Sequence, residues 1–367
     1  MRRSAANRAT GYNSHLAIRS RFQLPQPQTL RILENHSLKA LNTFAIDAKA
    51  RYFVRVGSED ELRAALLAEE FAGQPRLILG GGSNLLLTRD FPGVVIRIEL
   101  MGRCIAGCDD GATYVDAAAG ENWHDFVVWT LEQGLAGLEN LSLIPGTVGA
   151  SPIQNIGAYG VEMKEMFHEL TAIDVATGEE RKFGPAACRF AYRDSVFKHE
   201  AKDCFVITRV AFRLPNAARL HLEYGEVRGE LARMGVAKPT PRDVSNAVIN
   251  IRRRKLPDPA QIGNAGSFFK NPLVEHTVFE RLHASHPALP HYPGPDGLVK
   301  LPAGWLIEHA GWKGKGLGRA GVHEQHALVL VNRGGADGAQ IQALAEAVQD
   351  SVEQRFGIRL EPEPMIL

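Results

Sequence analysis

The feature that most constrains the fold is a run of twenty residues, 141–160, that carries no charged side chain and is rich in glycine, small residues and amides. Surface loops of this length are normally charged, and the glycines and prolines of the run exclude a regular helix. The run must therefore pack against other protein or against a large planar ligand. We favour a bound cofactor, because ligand pockets combine apolar walls with a few fixed polar groups.

Strand-like and helix-like segments alternate on both sides of this run. Residues 51–56 alternate as a strand does, and Ser58 is placed to cap a helix that follows it. The same criteria predict further strands at 76–79, 93–99, 113–118, 170–173, 204–214 and 327–331, and helices at 123–133 and 341–356. The segments lack the regular rhythm of a doubly wound sheet, so we predict an α+β fold.

The composition excludes several classes of function. The chain has 42 Lys+Arg against 41 Asp+Glu, a net charge of +1, which does not favour binding to nucleic acid or to a membrane surface. With 45% hydrophobic residues the chain has the composition of a globular protein. Four cysteines in 367 residues do not make a disulfide framework, and they indicate a reducing, cytoplasmic setting.

The beginning of the chain differs from the rest. Residues 1–33 contain six arginines and no acidic residue. No apolar stretch of 7–15 residues follows Arg2-Arg3, so export is not indicated, whereas a transit peptide remains open. We predict a disordered basic extension over residues 1–34.

One glycine-rich loop is a candidate anion site. Gly80-Gly-Gly-Ser-Asn84 follows a predicted strand, and its bare backbone amides can approach a pyrophosphate. The loop matches neither the dinucleotide fingerprint nor the P-loop, and a simple tight turn remains an alternative.

Two arginine-containing segments are further candidates. Arg252-Arg-Arg-Lys255 is short and has no interleaved aromatic residues, so a phosphorylated small molecule suits it better than a polymer. Arg193 stands in Tyr192-Arg-Asp-Ser195, where a structural salt bridge is the better interpretation of this segment alone.

Ser267 and the histidines were tested against known catalytic patterns. Phe269 breaks the Gly-x-Ser-x-Gly elbow, so Ser267 is interpreted as a proton donor or a turn residue and not as a nucleophile. His323 and His326 are only three residues apart, one short of the zinc spacing, and Cys104 and Cys108 have no second close pair. We predict no metal site.

Taken together, these segments closely resemble the family of UDP-N-acetylenolpyruvoylglucosamine reductases. The resemblance is carried by Gly80–Asn84, Pro145–Gly160, Tyr192–Ser195, Gly263–Pro272 and Leu360–Glu363, in this order, and it extends from about Asn35 to Glu363. Flavoproteins of the vanillyl-alcohol-oxidase type share the glycine loop. The segment Tyr224-Gly-Glu resembles the subclass that closes a tyrosine loop over the nucleotide.

The resemblance implies a fold and a division of the chain. The fold is an FAD-binding fold of the vanillyl-alcohol-oxidase type in two lobes, with a smaller α+β substrate-binding domain. The implied boundaries are 35–101 for the first lobe, to which 357–367 returns, 102–256 for the second lobe and 257–356 for the substrate-binding domain.

The resemblance also implies an activity. It is the NADPH-dependent, FAD-mediated reduction of UDP-N-acetylglucosamine enolpyruvate to UDP-N-acetylmuramate in peptidoglycan precursor synthesis, by a cytoplasmic monomer without nucleic-acid or membrane partners. Two alternatives are an FAD-dependent oxidase of the vanillyl-alcohol-oxidase type and a non-catalytic sugar-nucleotide binder.

The site residues implied by the resemblance fall into three groups. Arg193 and Glu363 would stabilise an enolate-like intermediate, and Ser267 would protonate it. The FAD-binding residues would be Gly80, Gly81, Gly82, Ser83, Asn84, Pro145, Gly146, Ser151, Gln154, Asn155, Ile156, Gly157, Ala158, Tyr159 and Gly160. The substrate-binding residues would be Tyr224, Arg252, Lys255, Asn271 and His326.

Two departures from the family pattern lead to separate expectations. After Glu363 the sequence reads Pro364-Met-Ile-Leu367 without the usual basic residue, so Glu363 is expected to be held less firmly or by different contacts. His326 stands where relatives of this subclass often have glutamine. An imidazole there is expected to add positive charge below pH 6.5 and to make activity fall more steeply between pH 6 and 8.

Overall fold

The computed structural model describes residues 30–217, 219–224 and 226–367. Most of the predicted basic extension, residues 1–29, therefore lies outside the described residues. At its end the prediction is wrong, because Leu33 and Glu34 belong to a strand in which they pair with Phe53 and Tyr52.

The described chain alternates short strands with helices. The strands are β1 (Leu33–Ser37), β2 (Lys49–Val56), β3 (Arg76–Leu79), β4 (Leu85–Leu86), β5 (Phe91–Ile98), β6 (Arg103–Cys108), β7 (Ala112–Ala118), β8 (Gly157–Ala158), β9 (Val161–Glu162), β10 (Phe167–Asp174), β11 (Glu180–Phe183), β12 (Phe205–Pro215), β13 (Gly263–Ser267), β14 (Leu273–Val274), β15 (Tyr292–Pro293), β16 (Val299–Lys300), β17 (Gly316–Leu317), β18 (Ala320–Val322), β19 (Val329–Asn332) and β20 (Met365–Ile366). The α-helices are α1 (Glu59–Leu67), α2 (Trp123–Glu132), α3 (Pro185–Cys188), α4 (Val227–Arg233), α5 (Pro241–Lys255), α6 (His276–Ser285), α7 (Ala303–His309) and α8 (Gly338–Phe356). Among the described residues, no helix has both the length and the apolar character needed to cross a bilayer.

The first sheet has the order β1-β2-β5-β3, in which β2, β5 and β3 run parallel. Helix α1 begins where expected, because the Ser58 hydroxyl accepts the Glu61 amide at 3.2 Å. Its buried residues Leu62 and Leu66 pack against the sheet. Strand β3 ends directly at the glycine loop, so the sheet sets the position of that loop.

The second sheet is antiparallel, with the order β11-β10-β12-β7-β6. Helix α2 covers one face, where Trp123, Phe126 and Phe212 form a cluster with ring centroids 5.2–6.1 Å apart. Edge strand β6 was not predicted, because all six of its residues are exposed and it carries no hydrophobic alternation.

The third part contains the sheet β13-β19-β18-β17, the small sheet β14-β16-β15 and helix α8. Its core is continuous with that of the first sheet, since Phe44 packs edge-on against Phe268. The last strand, β20, pairs in parallel with β4 of the first part. The predicted boundaries after residues 101, 256 and 356 fall between β5 and β6, after α5 and at the end of α8. The division into domains stays a prediction.

Candidate active site

The glycine loop is packed so tightly that it has no room for side chains. Gly82 has a φ of +62°, and a Cβ atom there would lie 1.9 Å from the carbonyl oxygen of Leu41. A Cβ atom on Gly81 would lie 2.9 Å from the Cα atom of Gly146. The two glycine-containing loops predicted to bind the cofactor therefore meet backbone to backbone.

The donors of this loop suit a dinucleotide pyrophosphate. In the part of the chain that the structure describes, none of the amides of residues 80–84 donates to a protein acceptor, whereas the carbonyls of Gly82 and Asn84 accept from Thr43 and Met365. The buried Thr43 hydroxyl beside the loop also finds no partner among the described residues. A row of free N–H groups after a strand is an anion site, so these residues fit the predicted group.

Asn84 connects the glycine loop to two other predicted segments. Its amide nitrogen donates to Gln154 Oε1 and to the carbonyl oxygen of Glu363, the latter at 3.2 Å. Ser151 is 2% exposed, and its hydroxyl donates to the Val148 carbonyl at 2.7 Å. Of the other members of the run that were predicted to bind the cofactor, Ile156 and Ala158 pack into the hydrophobic core beside the second sheet, and Pro145 is exposed.

The side chain of Asn155 makes hydrogen bonds that hold neighbouring loops together. Its side chain is fully buried; its amide nitrogen donates to Glu162 Oε2 at 3.0 Å and to the Ala191 carbonyl at 2.9 Å, and its oxygen accepts the Lys164 amide at 3.1 Å. These bonds occupy the side chain, and the assignment of Asn155 to the cofactor stays a prediction. Asn155 also secures the turn that carries Arg193.

Tyr159 and Gly160 lie beside residues that were predicted to bind the substrate. The Tyr159 ring packs against residues of α4 and α5, and burial raises the pKa of its phenol despite the nearby charge of Arg252. A Cβ atom on Gly160 would lie 3.0 Å from the Cβ of Tyr224. The structure therefore places both residues beside the predicted substrate side, and their assignment to the cofactor stays a prediction.

Arg193 occupies a strained position in a two-residue turn. Ala191 and Asp194 exchange backbone hydrogen bonds of 3.1 and 3.2 Å, and Arg193 between them has a φ of +55°. A left-handed conformation costs a residue with a side chain about 1–2 kcal/mol. The turn aims the guanidinium at Glu363, whose Oε1 lies 3.1 Å from Arg193 Nε, and lets Nη2 donate to the Gly157 carbonyl at 2.6 Å. Strain of this kind concentrates at functional sites.

Glu363 is held from both sides. Its amide donates to the Phe268 carbonyl at 2.8 Å, its carbonyl accepts from Asn84, and strand β20 begins two residues later. These contacts hold the backbone of Glu363 in place, and the comparison with the usual family contacts stays a prediction. Burial raises the pKa of the Glu363 carboxyl, and the positive charges of Arg193, Lys198 and Lys270 oppose that rise.

Ser267 is brought to the same place by sheet pairing. It is the last residue of β13, opposite Val329, and the next residue, Phe268, is the one whose carbonyl holds the Glu363 amide. The Phe268 amide donates to Leu328, which belongs to the loop containing His326. The three predicted catalytic residues thus lie on contacting segments.

Arg252 is a desolvated cation without a counter-ion. Within the described residues no carboxylate lies within 4.0 Å of its guanidinium, and its Nε donates to the Leu143 carbonyl at 3.2 Å. Burial lowers the pKa of Arg252, and the charge of Arg193 lowers it further to a smaller extent. The nearby Tyr159 opposes this change. Lys255, four-tenths exposed at the end of α5, is instead paired with Glu226 at 3.0 Å.

Asn271 was predicted to contact the nucleotide. In the structure its side-chain oxygen accepts the Ala303 amide at 2.9 Å, at the first turn of α7. This oxygen therefore fixes the junction between β14 and α7. Contact between the side-chain NH2 group of Asn271 and the substrate stays a prediction.

His326 lies near the basic cluster, but its imidazole is electrostatically disfavoured as a cation. Burial lowers the pKa of His326, and the charges of Lys255, His323, Lys313 and Arg252 lower it further. Its Nδ1 atom is buried and has no hydrogen-bond partner among the described residues. The expected positive charge is therefore displaced to a pH below 6.5, which corrects the predicted window between pH 6 and 8.

Several residues that sequence reasoning missed line the same region. The ring of Tyr224 lies 6.3 Å from that of Tyr292, and Lys300 Nζ lies 6.0 Å from the Tyr292 ring and 5.4 Å from the Tyr192 ring. Burial, followed by the charge of Arg193, lowers the pKa of Lys300. The available signals were weak: Tyr192 adjoins Arg193, and Tyr292 stands in a segment rich in glycine and proline.

Comparison with known proteins gives consistent matches. A family model described as the C-terminal domain of UDP-N-acetylenolpyruvoylglucosamine reductase matches residues 258–367, and one described as an FAD binding domain matches residues 50–184. Proteins named UDP-N-acetylenolpyruvoylglucosamine reductase are 57% identical in Azoarcus sp., over 92% of this chain and 98% of that protein, and 56% identical in Pseudomonas aeruginosa, over 92% and 99%. The crystal structure of the reductase from Thermus caldophilus has a TM-score of 0.63 at 24% identity, and the match covers 92% of this chain and 98% of that one. The predicted fold class is confirmed.

Proposed function

This chain belongs to the family of UDP-N-acetylenolpyruvoylglucosamine reductases, and we propose that its Arg193, Ser267 and Glu363 carry out the reaction of that family. The enzyme is an FAD-dependent oxidoreductase that uses NADPH to reduce UDP-N-acetylglucosamine enolpyruvate to UDP-N-acetylmuramate in peptidoglycan precursor synthesis.

The observation that best supports this substrate is an excess of positive charge in one partly buried place. The charge of Arg193 acts on both Arg252 and Lys300 and lowers their pKa values, and Glu363 is the carboxylate that contacts Arg193. Burying like charges together is costly unless an anion joins them. A ligand with both a diphosphate and a carboxylate supplies negative charge at two points.

The cofactor would be held by the two loops that meet at Gly81 and Gly146. The free amides of residues 80–84 would bind its pyrophosphate, and the uncharged residues 145–157 would pack along its ring system. Bound there, FAD would supply the hydride chemistry that passes a hydride from NADPH to C3 of the enolpyruvyl group.

Arg193 and Glu363 would stabilise the charge that this addition creates. Hydride arriving at C3 places negative charge on C2, which the neighbouring carboxylate of the substrate must absorb. Two nitrogens of Arg193 are already fixed by Glu363 and Gly157, so the guanidinium is pre-oriented and presents its remaining N–H groups to that carboxylate. The raised pKa of Glu363 favours its protonated form, in which it donates a hydrogen bond to the developing enolate. One such fixed donor is worth about 10²–10³ in rate.

Ser267 would complete the reaction by delivering a proton to C2. It ends β13 one residue from the segment that binds the Glu363 backbone, so its hydroxyl is carried by a rigid strand. The proton leaves the hydroxyl oxygen for C2 and must be replaced from solvent, since Ser267 is half-buried and not sealed.

The nucleotide would be held by Tyr224, Arg252, Lys255 and part of Asn271. Arg252 is already free of any carboxylate among the described residues, whereas Lys255 would exchange Glu226 for the diphosphate. We further propose that the enzyme acts as a monomer, and the free cysteines among the described residues are in keeping with the reducing cytoplasm.

Replacement of Ser267 by alanine tests this assignment. Reduction of the flavin by NADPH should survive in Ser267→Ala, whereas turnover of the enolpyruvyl sugar nucleotide should fall by about 10²-fold or more. Ser285→Ala, on the exposed surface of α6, is the matched control. Equal turnover of wild type and Ser267→Ala would contradict the proton-donor role. Wild-type flavin that reacts with oxygen and not with the enol ether would instead favour an oxidase.

A further inference from the structure

A lysine lies directly behind the Arg193–Glu363 pair. Lys198 ends a single helical turn, residues 196–198, which begins at Ser195, whose hydroxyl accepts the Phe197 amide at 3.3 Å. From there the half-buried side chain returns to the preceding turn, and its Nζ donates to the carbonyl oxygen of Arg193 at 3.0 Å.

The acceptor of this bond belongs to the residue that most needs to be held. Arg193 is the left-handed residue of its turn, and the two backbone bonds of that turn join Ala191 and Asp194. The carbonyl oxygen of Arg193 instead accepts its hydrogen bond from Lys198 Nζ. A hydrogen bond from a charged donor contributes more than one between neutral groups, so Lys198 can stabilise a conformation that the arginine would otherwise leave.

The charged groups around Lys198 are those of the catalytic centre. Burial and the positive charge of Lys270 lower the pKa of Lys198, and Asp194, Glu363 and Glu361 oppose this. Asp194 also contacts His199 Nε2 at 2.7 Å, and Lys270 pairs with Glu361, so the charge of Lys270 is partly neutralised.

The charge of Lys198 also acts on Glu363. Around its carboxyl, burial favours the protonated form, while Arg193, Lys198 and Lys270 favour the ionised form. Tyr192, whose phenol is also near, has its pKa raised by burial and is neutral. Lys198 is thus one of three cations whose balance with burial decides how readily Glu363 gives up its proton.

We propose that Lys198 is a positioning residue of the reductase, which fixes the strained turn of Arg193 and supplies part of the positive charge that acts on Glu363. The proposal rests on the proposed function of Arg193 and Glu363. It assigns Lys198 no contact with substrate or cofactor. A lysine that only stabilises a surface turn would leave the ionisation of Glu363 unchanged, whereas the proposed role of Lys198 predicts that its removal changes that ionisation.

The test uses Lys198→Met, which keeps the length of the side chain and removes its charge and donors. Flavin reduction by NADPH should change little, while kcat for the enolpyruvyl sugar nucleotide should fall about 10- to 100-fold, because a displacement of about 1 Å at a reacting group has effects of this size. Removal of a positive charge raises the pKa of Glu363, so the limb of the kcat profile that reports this carboxyl should move to higher pH.

Two further variants make the outcome decisive. Lys202→Met removes a neighbouring lysine whose side chain makes no contact with the site among the described residues, and it should leave rate and profile unchanged. Lys198→Arg keeps the charge and moves the donor, so it should lower kcat without moving the limb. If Lys198→Met does not fold, the Arg variant alone decides, because an unchanged kcat would overturn the positioning role.

The possible failures are distinguishable. If wild type and Lys198→Met turn over the sugar nucleotide with the same kcat and the same pH profile, and differ only in Tm, then Lys198 is structural and the inference is wrong. If wild type itself does not turn over the sugar nucleotide, the proposed function fails first.

Discussion

Replacement of Gly82 by alanine adds a single methyl group to the glycine loop and should weaken its binding of FAD. In Gly82→Ala the new Cβ would lie 1.9 Å from the Leu41 carbonyl oxygen, whereas about 3.0 Å is the smallest separation that real Cβ atoms show. The backbone must therefore move by about 1 Å. The residue also has a φ of +62°, which costs alanine about 1–2 kcal/mol by itself.

The size of the effect follows from what the movement does to the amides of residues 80–84. A hydrogen bond from an N–H group to a charged acceptor contributes about 1.5–3 kcal/mol, so loss of one bond to the pyrophosphate weakens FAD binding about 10- to 100-fold. Gly73→Ala is the matched control, because Gly73 has a φ of +70° but nothing within 4 Å of the new Cβ. It should show the conformational cost alone.

The assay is a titration of each refolded apoprotein with FAD, followed by flavin fluorescence, together with thermal unfolding. We expect Gly73→Ala to lose some stability and to bind FAD as wild type does, and Gly82→Ala to bind it at least tenfold more weakly. Equal FAD affinity of Gly82→Ala and wild type would refute the assignment of this loop to the pyrophosphate.

Three other substitutions test the electrostatics of the site. The raised pKa of Glu363 means that the fold disfavours its ionised form, so Glu363→Gln should lose activity and yet have a higher Tm than wild type at pH 8. The difference in Tm should shrink as the pH falls and Glu363 of the wild type takes up a proton. A lower Tm of Glu363→Gln at pH 8 would contradict this reasoning. His326→Gln should have the same kcat/KM as wild type above pH 6.5 and should lack the increase in kcat/KM that protonation of His326 adds below that pH. Identical pH profiles of kcat/KM for the two proteins would contradict a role for the imidazole. Arg252→Gln should raise KM for the sugar nucleotide about 10- to 100-fold, while Arg253→Gln, exposed on the same helix, should leave KM unchanged; equal KM values for the two variants would be evidence against the diphosphate contact.

The parts of the fold that could be predicted from sequence are those decided by local chemistry. Strand β3 was predicted with its observed ends, and α1 begins at the serine that caps it, because hydrophobic pattern and capping act over a few residues. Strand β6 could not be predicted in this way. All of its residues are exposed, so it exists only because β7 offers a ladder of backbone partners.

The sequence motifs name candidate site residues but do not show how the folded chain arranges them. Asn155 and Tyr159 stand in one run with Gln154, but the chain turns between them, so that one is buried beneath the Arg193 turn and the other faces Arg252. Lys198 and Lys300 carry no motif, and their importance depends on Arg193 and on tyrosines that only the folded chain brings near. Sequence adjacency cannot tell which wall of a pocket a residue joins.

The central claim, that one flavin site serves both NADPH and the enolpyruvyl sugar nucleotide, is tested most directly by an anaerobic titration of the FAD-loaded protein. Addition of NADPH should bleach the yellow absorbance, and subsequent addition of UDP-N-acetylglucosamine enolpyruvate should restore it. Bleaching without recovery would contradict the assignment of the substrate, and a protein that stays colourless after FAD is supplied would contradict the whole account.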